Sequence, residues 1–174
     1  FLLNESLIEQ HVSQKTRAII PVHLFGQCCN MRVIKSIANK HDLFVIEDAA
    51  QSIGSKAIYK SDDLDTKCSG TIGDIGTTSF YPSKNLGCFG DGGAIFTDND
   101  TLSKRIRLIT NHGQNKKYTH EIVGLNSRLD TLQASILSYK LSFLDECNAK
   151  RNKIAQHYHT VLDRVPWLRT PIKR

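Results

Sequence analysis

The sequence predicts an α/β fold, with a mostly parallel sheet, flanking helices and a long C-terminal helix. Three observations carry that expectation. A strand, a helix and a second strand follow one another between residues 18 and 47, and such a crossover sets the two strands side by side and parallel. Two polar clusters stand just after strand ends, the edge where open parallel sheets bind ligands. A helical pattern then runs from about Ser127 to Leu162, before Pro166 and Pro171 stop it.

Taken in order, residues 18–25 (Ala-Ile-Ile-Pro-Val-His-Leu-Phe) are β-branched and apolar and end at Gly26-Gln27, so they read as a buried strand. From Asn30 to Lys40, Met31, Ile34, Ile37 and Ala38 recur at helical spacing behind Asn30 as N-cap. Leu43 to Glu47 is the second buried strand. Thr77–Tyr81 and Ala94–Thr97 are two further short strands. Between them lie Gly87, Gly90, Gly92 and Gly93, a crowding that marks a tight connection rather than a G-x-G-x-x-G dinucleotide turn. A helix from Leu102 to about Thr110 is entered through Asp98-Asn99-Asp100. In the long C-terminal pattern Leu129, Leu132, Ile136, Tyr139, Leu144 and Ile154 supply the apolar stripe, with a bend or break expected near Cys147-Asn148.

Composition narrows the function classes. The 174 residues carry 23 Lys and Arg against 17 Asp and Glu, a formal charge of +6, with 40% hydrophobic and 23% charged residues. These values describe a globular domain and exclude disordered, collagenous and disulfide-stapled chains. The five cysteines form no C-x-x-C pair, which fits reduced thiols in a cytoplasmic protein and neither a zinc site nor a disulfide frame. No apolar run is long enough to span a bilayer. The basic residues are scattered without a nucleic-acid motif, so a solvated surface explains them. Asp62, Asp63 and Asp65, in the hydrophilic stretch Ser61–Lys67, lack the glycine and distal glutamate of a calcium loop, and no metal is expected. His23, His112 and His120 are single histidines, a pattern that more often marks packing or surface than a ligand.

The first polar cluster is Glu47-Asp48-Ala49-Ala50-Gln51. A carboxylate at a strand's carboxyl end suits a cationic ring nitrogen, with an amide one turn on to reach a neighbouring oxygen. The competing reading makes Asp48 the cap of a short helix near Ala49. The second cluster is Ser79-Phe-Tyr-Pro-Ser-Lys-Asn85. Lys84 follows a strand into a turn and presents an amine suited to attack carbonyl groups, while Ser79 and Ser83 offer hydroxyls to a phosphate. Taken alone, Lys84 is one exposed lysine among many. Asp, Gln, Ser and Lys together at strand ends are the parts needed to hold a pyridine ring, its phenolic oxygen, its phosphate and its aldehyde.

Six ordered motifs, Val22-His-Leu-Phe-Gly-Gln27, Ile46-Glu-Asp-Ala-Ala-Gln-Ser52, Ser79-Phe-Tyr-Pro-Ser-Lys-Asn-Leu-Gly87, Gly90-Asp-Gly-Gly-Ala-Ile-Phe-Thr97, Asn111-His-Gly-Gln114 and Asn126-Ser-Arg-Leu-Asp-Thr-Leu-Gln-Ala134, resemble the nucleotide-sugar aminotransferases of the DegT/DnrJ/EryC1/StrS family over essentially the whole chain. The resemblance implies the central part of a fold type I, aspartate aminotransferase-like large domain that uses pyridoxal 5'-phosphate. By the same resemblance, residues 1–126 are a partial large domain lacking its N-terminal part. Residues 127–174 are then a long interdomain helix and the start of the small domain. Lys84 resembles the lysine that bonds to the cofactor's aldehyde carbon and later moves protons at the substrate carbon. Asp48 matches the partner of the ring nitrogen, Gln51 the donor to the phenolic oxygen, and Ser79 a phosphate ligand. Asn126 resembles an asparagine that reaches the phosphate from the partner subunit of a homodimer. Arg128 is similar to an arginine near the sugar-nucleotide's acidic groups, and His112 stands as a further substrate contact.

The implied reaction moves an amino group from an amino acid, usually glutamate in this family, to a nucleotide-linked ketosugar. The motifs look most like members that aminate C3 of UDP- or dTDP-linked sugars. The product would serve cell-surface polysaccharide or other aminosugar biosynthesis. Relatives with histidine in place of the lysine are dehydratases, so Lys84 points away from that branch. A second reading is a non-catalytic regulator or sensor of the same family that binds cofactor or sugar nucleotide without turnover; a glutamate half-reaction separates the two. Family members extend further on both sides, which implies that this stretch is the catalytic middle of a longer enzyme with little or no activity alone.

Overall fold

The computed structural model describes residues 1–57 and 67–172. Strands β1 (Ala18–Ile19), β2 (Phe44–Asp48), β5 (Ile75–Ser79) and β6 (Gly93–Phe96) form one sheet in the order β1-β2-β5-β6. β1 and β5 both run parallel to β2, and β6 closes the edge antiparallel to β5. Two short antiparallel pairs lie outside this sheet: β3 (Lys56–Ala57) with β4 (Lys67–Cys68), and β7 (Gln114–Lys116) with β8 (Thr119–His120). Most of the Ser61–Lys67 stretch lies outside the described residues.

The crossover helix α1 (Met31–Lys40) forms where expected. Asn30 caps it, its Oδ1 accepting from Val33 N–H at 3.4 Å. The stripe Met31, Ile34, Ile37 and Ala38 is buried against Ile8, Ile19, Cys29, Val45, Ala57 and Ile72. Each large side chain moved from water into that cluster contributes about 1.5–3 kcal/mol, which fixes the helix over the parallel pair.

Several boundaries differ from the sequence reading, among them three with a clear physical cause. The strand expected over 18–25 stops as a regular ladder at Ile19. Pro21 has no N–H to donate and is fully buried, so only a bridge at Val22↔Asp48 resumes the pairing. The chain then turns through a short 3-10 segment, Leu24–Gly26, with Phe25 at φ 56°. β5 ends two residues before the expected Tyr81, because the chain leaves the ladder toward Pro82; Phe80 N–H still bonds Gly92 C=O at 2.7 Å. α2 (Asp100–Thr110) begins two residues early, since Asn99 Oδ1 accepts from both Thr101 and Leu102 N–H groups.

The long C-terminal helix is two helices, α3 (Thr131–Leu141) and α4 (Leu144–Leu162), and the break falls at Ser142-Phe143 rather than near Cys147-Asn148. Ser142 Oγ bonds back to Tyr139 C=O at 2.7 Å, and the Phe143 ring packs edge-on against Tyr139 at 5.3 Å. Residues 127–130 precede the first turn, and Asp130 is extended. The expected apolar stripe is also displaced. Leu132, Tyr139 and Ile154 are exposed; Leu144, as expected, is buried, and with it Leu137, which the stripe did not include, among Phe80, Leu86 and Cys88 in a second core cluster.

Candidate active site

The parallel pair β2–β5 sets up the site. Asp48 is the last residue of β2 and lies opposite Thr77 in register. Beyond the ladder, Ala49 N–H donates to Thr77 C=O at 2.8 Å and Thr78 Oγ1 donates to Ala49 C=O at 3.2 Å. These bonds hold the segment after β2 against β5. The two chain segments that leave this edge carry Gln51 on one side and Lys84 on the other.

Beneath the edge lies a buried polar anchor. Glu47 and His23 are both fully buried, with Glu47 Oε2 2.8 Å from His23 Nε2. Cys29 N–H donates to His23 Nδ1 at 3.1 Å, so the Nε2 proton points at the carboxylate. Glu47 also accepts from the N–H groups of Gly70, Ile72 and Gly73 at 2.9, 2.6 and 2.6 Å. Burial alone would raise the Glu47 carboxyl; the donors from His23, Gly73, Gly70 and Ile72 outweigh it and hold the group below its ordinary range. His23 is thus a packed core residue, as its isolation in sequence suggested. Nothing in the spacing of Glu47 signalled that it would collect four donors.

At the edge itself, Asp48 is half-buried, and its Oδ1 accepts from Ala50 N–H at 3.0 Å. The local-turn reading of Asp48 therefore accounts for one oxygen, while Oδ2 has no protein partner among the described residues. Gln51 Oε1 accepts from Phe25 N–H at 2.9 Å, which leaves its Nε2 as a free donor. The kinked end of the first strand is what brings Phe25 within reach. Ser79 Oγ accepts from Tyr81 N–H at 3.2 Å and keeps its own proton for another acceptor. Lys84 is half-buried in a turn closed by Lys84 N–H to Tyr81 C=O at 2.9 Å, and its amine makes no hydrogen bond or ion pair among the described residues. Four groups at one sheet edge thus each retain an uncommitted polar atom.

The remaining expected residues form a second group. Asn126 pairs with Asn111 across an antiparallel bridge, and its Oδ1 accepts from Arg128 Nε at 3.0 Å. His112 sits in the left-handed region at φ 60°, and its C=O accepts from His120 Nδ1 at 2.8 Å. Asn126, Arg128 and His112 are all exposed. Among the described residues no hydrogen bond or ion pair joins this strip to Asp48, Gln51, Ser79 or Lys84. No group of three or more His, Cys, Asp or Glu side chains there is arranged to hold a metal ion. None of the described helices is long and apolar enough to cross a membrane.

Comparison with known proteins adds a family and its relatives. A model of the DegT/DnrJ/EryC1/StrS aminotransferase family matches residues 1–173. The chain is 50% identical over 163 residues to a UDP-2-acetamido-2-deoxy-3-oxo-D-glucuronate aminotransferase of Pseudomonas aeruginosa, covering 94% of this chain and 44% of that protein. It is 47% identical over 163 residues to a protein of Geobacillus stearothermophilus named a pleiotropic regulatory protein, covering 94% of this chain and 42% of that one. Among solved structures, S. venezuelae DesV, crystallised with a ketimine intermediate, superposes with a TM-score of 0.90 at 40% identity, covering 99% of this chain and 45% of DesV. The chain therefore spans less than half the length of these relatives.

Proposed function

The chain belongs to the DegT/DnrJ/EryC1/StrS aminotransferase family, and from that premise we propose that the protein carrying it is a pyridoxal-phosphate-dependent aminotransferase. Its amino acceptor is a nucleotide-linked ketosugar, aminated at C3 and carried on UDP or dTDP, and its amino donor is an amino acid, glutamate by preference. The observation that carries the reading is the set of uncommitted atoms at the β2–β5 edge: Asp48 Oδ2, Gln51 Nε2, the Ser79 hydroxyl and the Lys84 amine. An anion, an amide donor, a hydroxyl and an amine fit a cofactor with a cationic ring nitrogen, a phenolic oxygen, a phosphate and an aldehyde.

When bound, pyridoxal phosphate supplies an electron-accepting ring beside a carbonyl carbon. Asp48 would hold the ring nitrogen protonated through its free oxygen, and Gln51 would orient the ring by donating to the phenolic oxygen. Ser79 would donate to the phosphate. Lys84 would bond to the aldehyde carbon in the resting protein, and its free amine would serve as the base that takes a proton from the donor's α-carbon and gives one to the sugar carbon. Its half-buried turn keeps the amine at the edge while limiting the water around it. Arg128, in its bond with Asn126, presents a guanidinium fork suited to phosphate or carboxylate on the sugar nucleotide, and His112 flanks that strip. Among the described residues Asn126 and Arg128 make no bond to the Lys84 edge, which is consistent with their serving the site of a partner subunit in a homodimer. Action on a water-soluble nucleotide sugar fits the cytoplasm.

The test is a glutamate half-reaction. The complete protein loaded with pyridoxal phosphate should yield 2-oxoglutarate and the aminated cofactor, and Lys84→Ala should yield neither. The name of the Geobacillus stearothermophilus relative favours a second reading, a regulatory member that binds cofactor without turnover. Cofactor binding with no 2-oxo acid released from any amino donor would select it.

A further inference from the structure

One face of α3 and α4 lies on the segment that carries Lys84, and the residues along it alternate between apolar and polar. Leu137 and Leu144 pack with Phe80, Leu86 and Cys88, and Ile53 joins that cluster from the segment after Gln51. Between the apolar contacts come three polar ones. Gln133 Oε1 accepts from Phe89 N–H at 2.8 Å, Lys140 Nζ donates to Gly87 C=O, and Asn148 engages two separate segments at once. Asn148 Oδ1 accepts from Asn85 Nδ2 at 2.9 Å, and Asn148 Nδ2 donates to Ile53 C=O at 3.2 Å. The orientation of this carboxamide is fixed by its partners, because a carbonyl at Ile53 requires a donor.

Asn85 is the neighbour of Lys84, and Ile53 is two residues beyond Gln51. Gly54 makes the approach feasible. It lies at φ +82°, and a Cβ there would stand 2.9 Å from Asn148 Nδ2. A residue on α4 is therefore joined by direct hydrogen bonds to both segments that leave the β2–β5 edge. The apolar cluster brings the helices down onto these segments but is not directional. The carboxamide sets their separation.

We propose that Asn148 is a positioning residue for amino transfer: by bridging Ile53 C=O and Asn85 it fixes the Lys84 amine relative to Gln51 and Asp48. The proposal rests on the aminotransferase reading for its catalytic consequence and on the two hydrogen bonds for its structural one. Only Asn or a side chain with both a donor and an acceptor at that reach serves both arms. Asn148→Ala removes both. Asn148→Asp keeps the acceptor for Asn85 but sets a carboxylate against Ile53 C=O, so it breaks one arm and spares the other.

The experiment uses the complete protein with its cofactor. Hydrogen–deuterium exchange is followed at residues 49–55 and 80–92, beside the affinity for added pyridoxal phosphate and the kcat and KM for glutamate. Asn148→Ala is expected to speed exchange in both segments, to weaken cofactor binding, and to lower kcat about tenfold or more with KM for glutamate changed by less than about twofold. Asn148→Asp is expected to speed exchange at 49–55 while 80–92 stays as in the parent. A general loss of stability would not split the two segments in this way. Unchanged exchange in the alanine variant overturns the proposal, and so does faster exchange with parental kcat and cofactor affinity. If the parent protein binds the cofactor but transfers no amino group, the aminotransferase reading fails alone, and exchange with cofactor affinity decides the role of Asn148. If the parent does not bind pyridoxal phosphate, both fall.

Discussion

Lys84 and Glu47 stand within one fold at opposite extremes of commitment. The Lys84 amine has no partner among the described residues, so its replacement should disturb chemistry and leave packing intact. Lys84→Ala is expected to lower amino transfer by on the order of a thousandfold or more while the thermal midpoint moves by little, as activity assays and calorimetry on the same preparation would record. Glu47 satisfies four donors from full burial. Glu47→Ala strands His23 Nε2 and three backbone N–H groups, at a cost of about 3–5 kcal/mol in denaturant unfolding. The same residue sets an acid limb. Its folded carboxyl titrates below the unfolded one, so its contribution is complete above the ordinary carboxylate range and disappears as the pH falls through the folded value. Unfolding free energy measured between about pH 3 and 7 should fall toward acid, and Glu47→Gln, already less stable at neutral pH, should show a shallower acid slope.

Among the elements, those with a single strong local signal were legible. α1 follows from its stripe and from Asn30, and the parallel strands follow from the crossover rule. What the sequence could not convey were outcomes settled by tertiary contact. A proline inside an apolar run reads as strand until the ladder donor it lacks is missed. The break at Ser142-Phe143 depends on a hydroxyl bonding back and a ring packing on Tyr139, and neither alters the hydrophobic period. Of the buried face of α3 and α4 the sequence marked only Leu144, for a different reason: Gln133, Lys140 and Asn148 alternate with Leu137 and Leu144, so no continuous apolar stripe marks it. Two element-level outcomes can be measured. Asn99→Ala removes the acceptor for two N–H groups at the start of α2 and should cost about 1 kcal/mol of unfolding free energy. Gly76→Ala would set a Cβ on β5 1.8 Å from Gly70 C=O in the turn after β4, and the variant should lose the cooperative unfolding transition seen by calorimetry.

Across the whole molecule, the candidate site divides into an edge built by β2 and β5 and an exposed strip at residues 111–128, with no described bond between them. Asp48, Gln51, Ser79 and Lys84 could be nominated from the sequence because strand ends and residue chemistry coincide. Asn126, Arg128 and His112 rested on family resemblance, and the proposal that the strip serves a partner's site makes a specific demand on the dimer. Mixing Lys84→Ala with Asn126→Ala subunits, each inactive by itself, should restore about a quarter of parental activity, since half of the dimers are mixed and one of their two sites is intact. Recovery no greater than the sum of the separate variants would place Asn126 on its own chain's site. The measurement that bears most directly on the account is amino transfer by the complete protein, supplied with pyridoxal phosphate, glutamate and a panel of UDP- and dTDP-linked 3-ketosugars, with the product followed by NMR. The account predicts nitrogen from labelled glutamate on C3 of a sugar product, and none with Lys84→Ala. Failure on every 3-ketosugar, or transfer that survives the loss of Lys84, would contradict it.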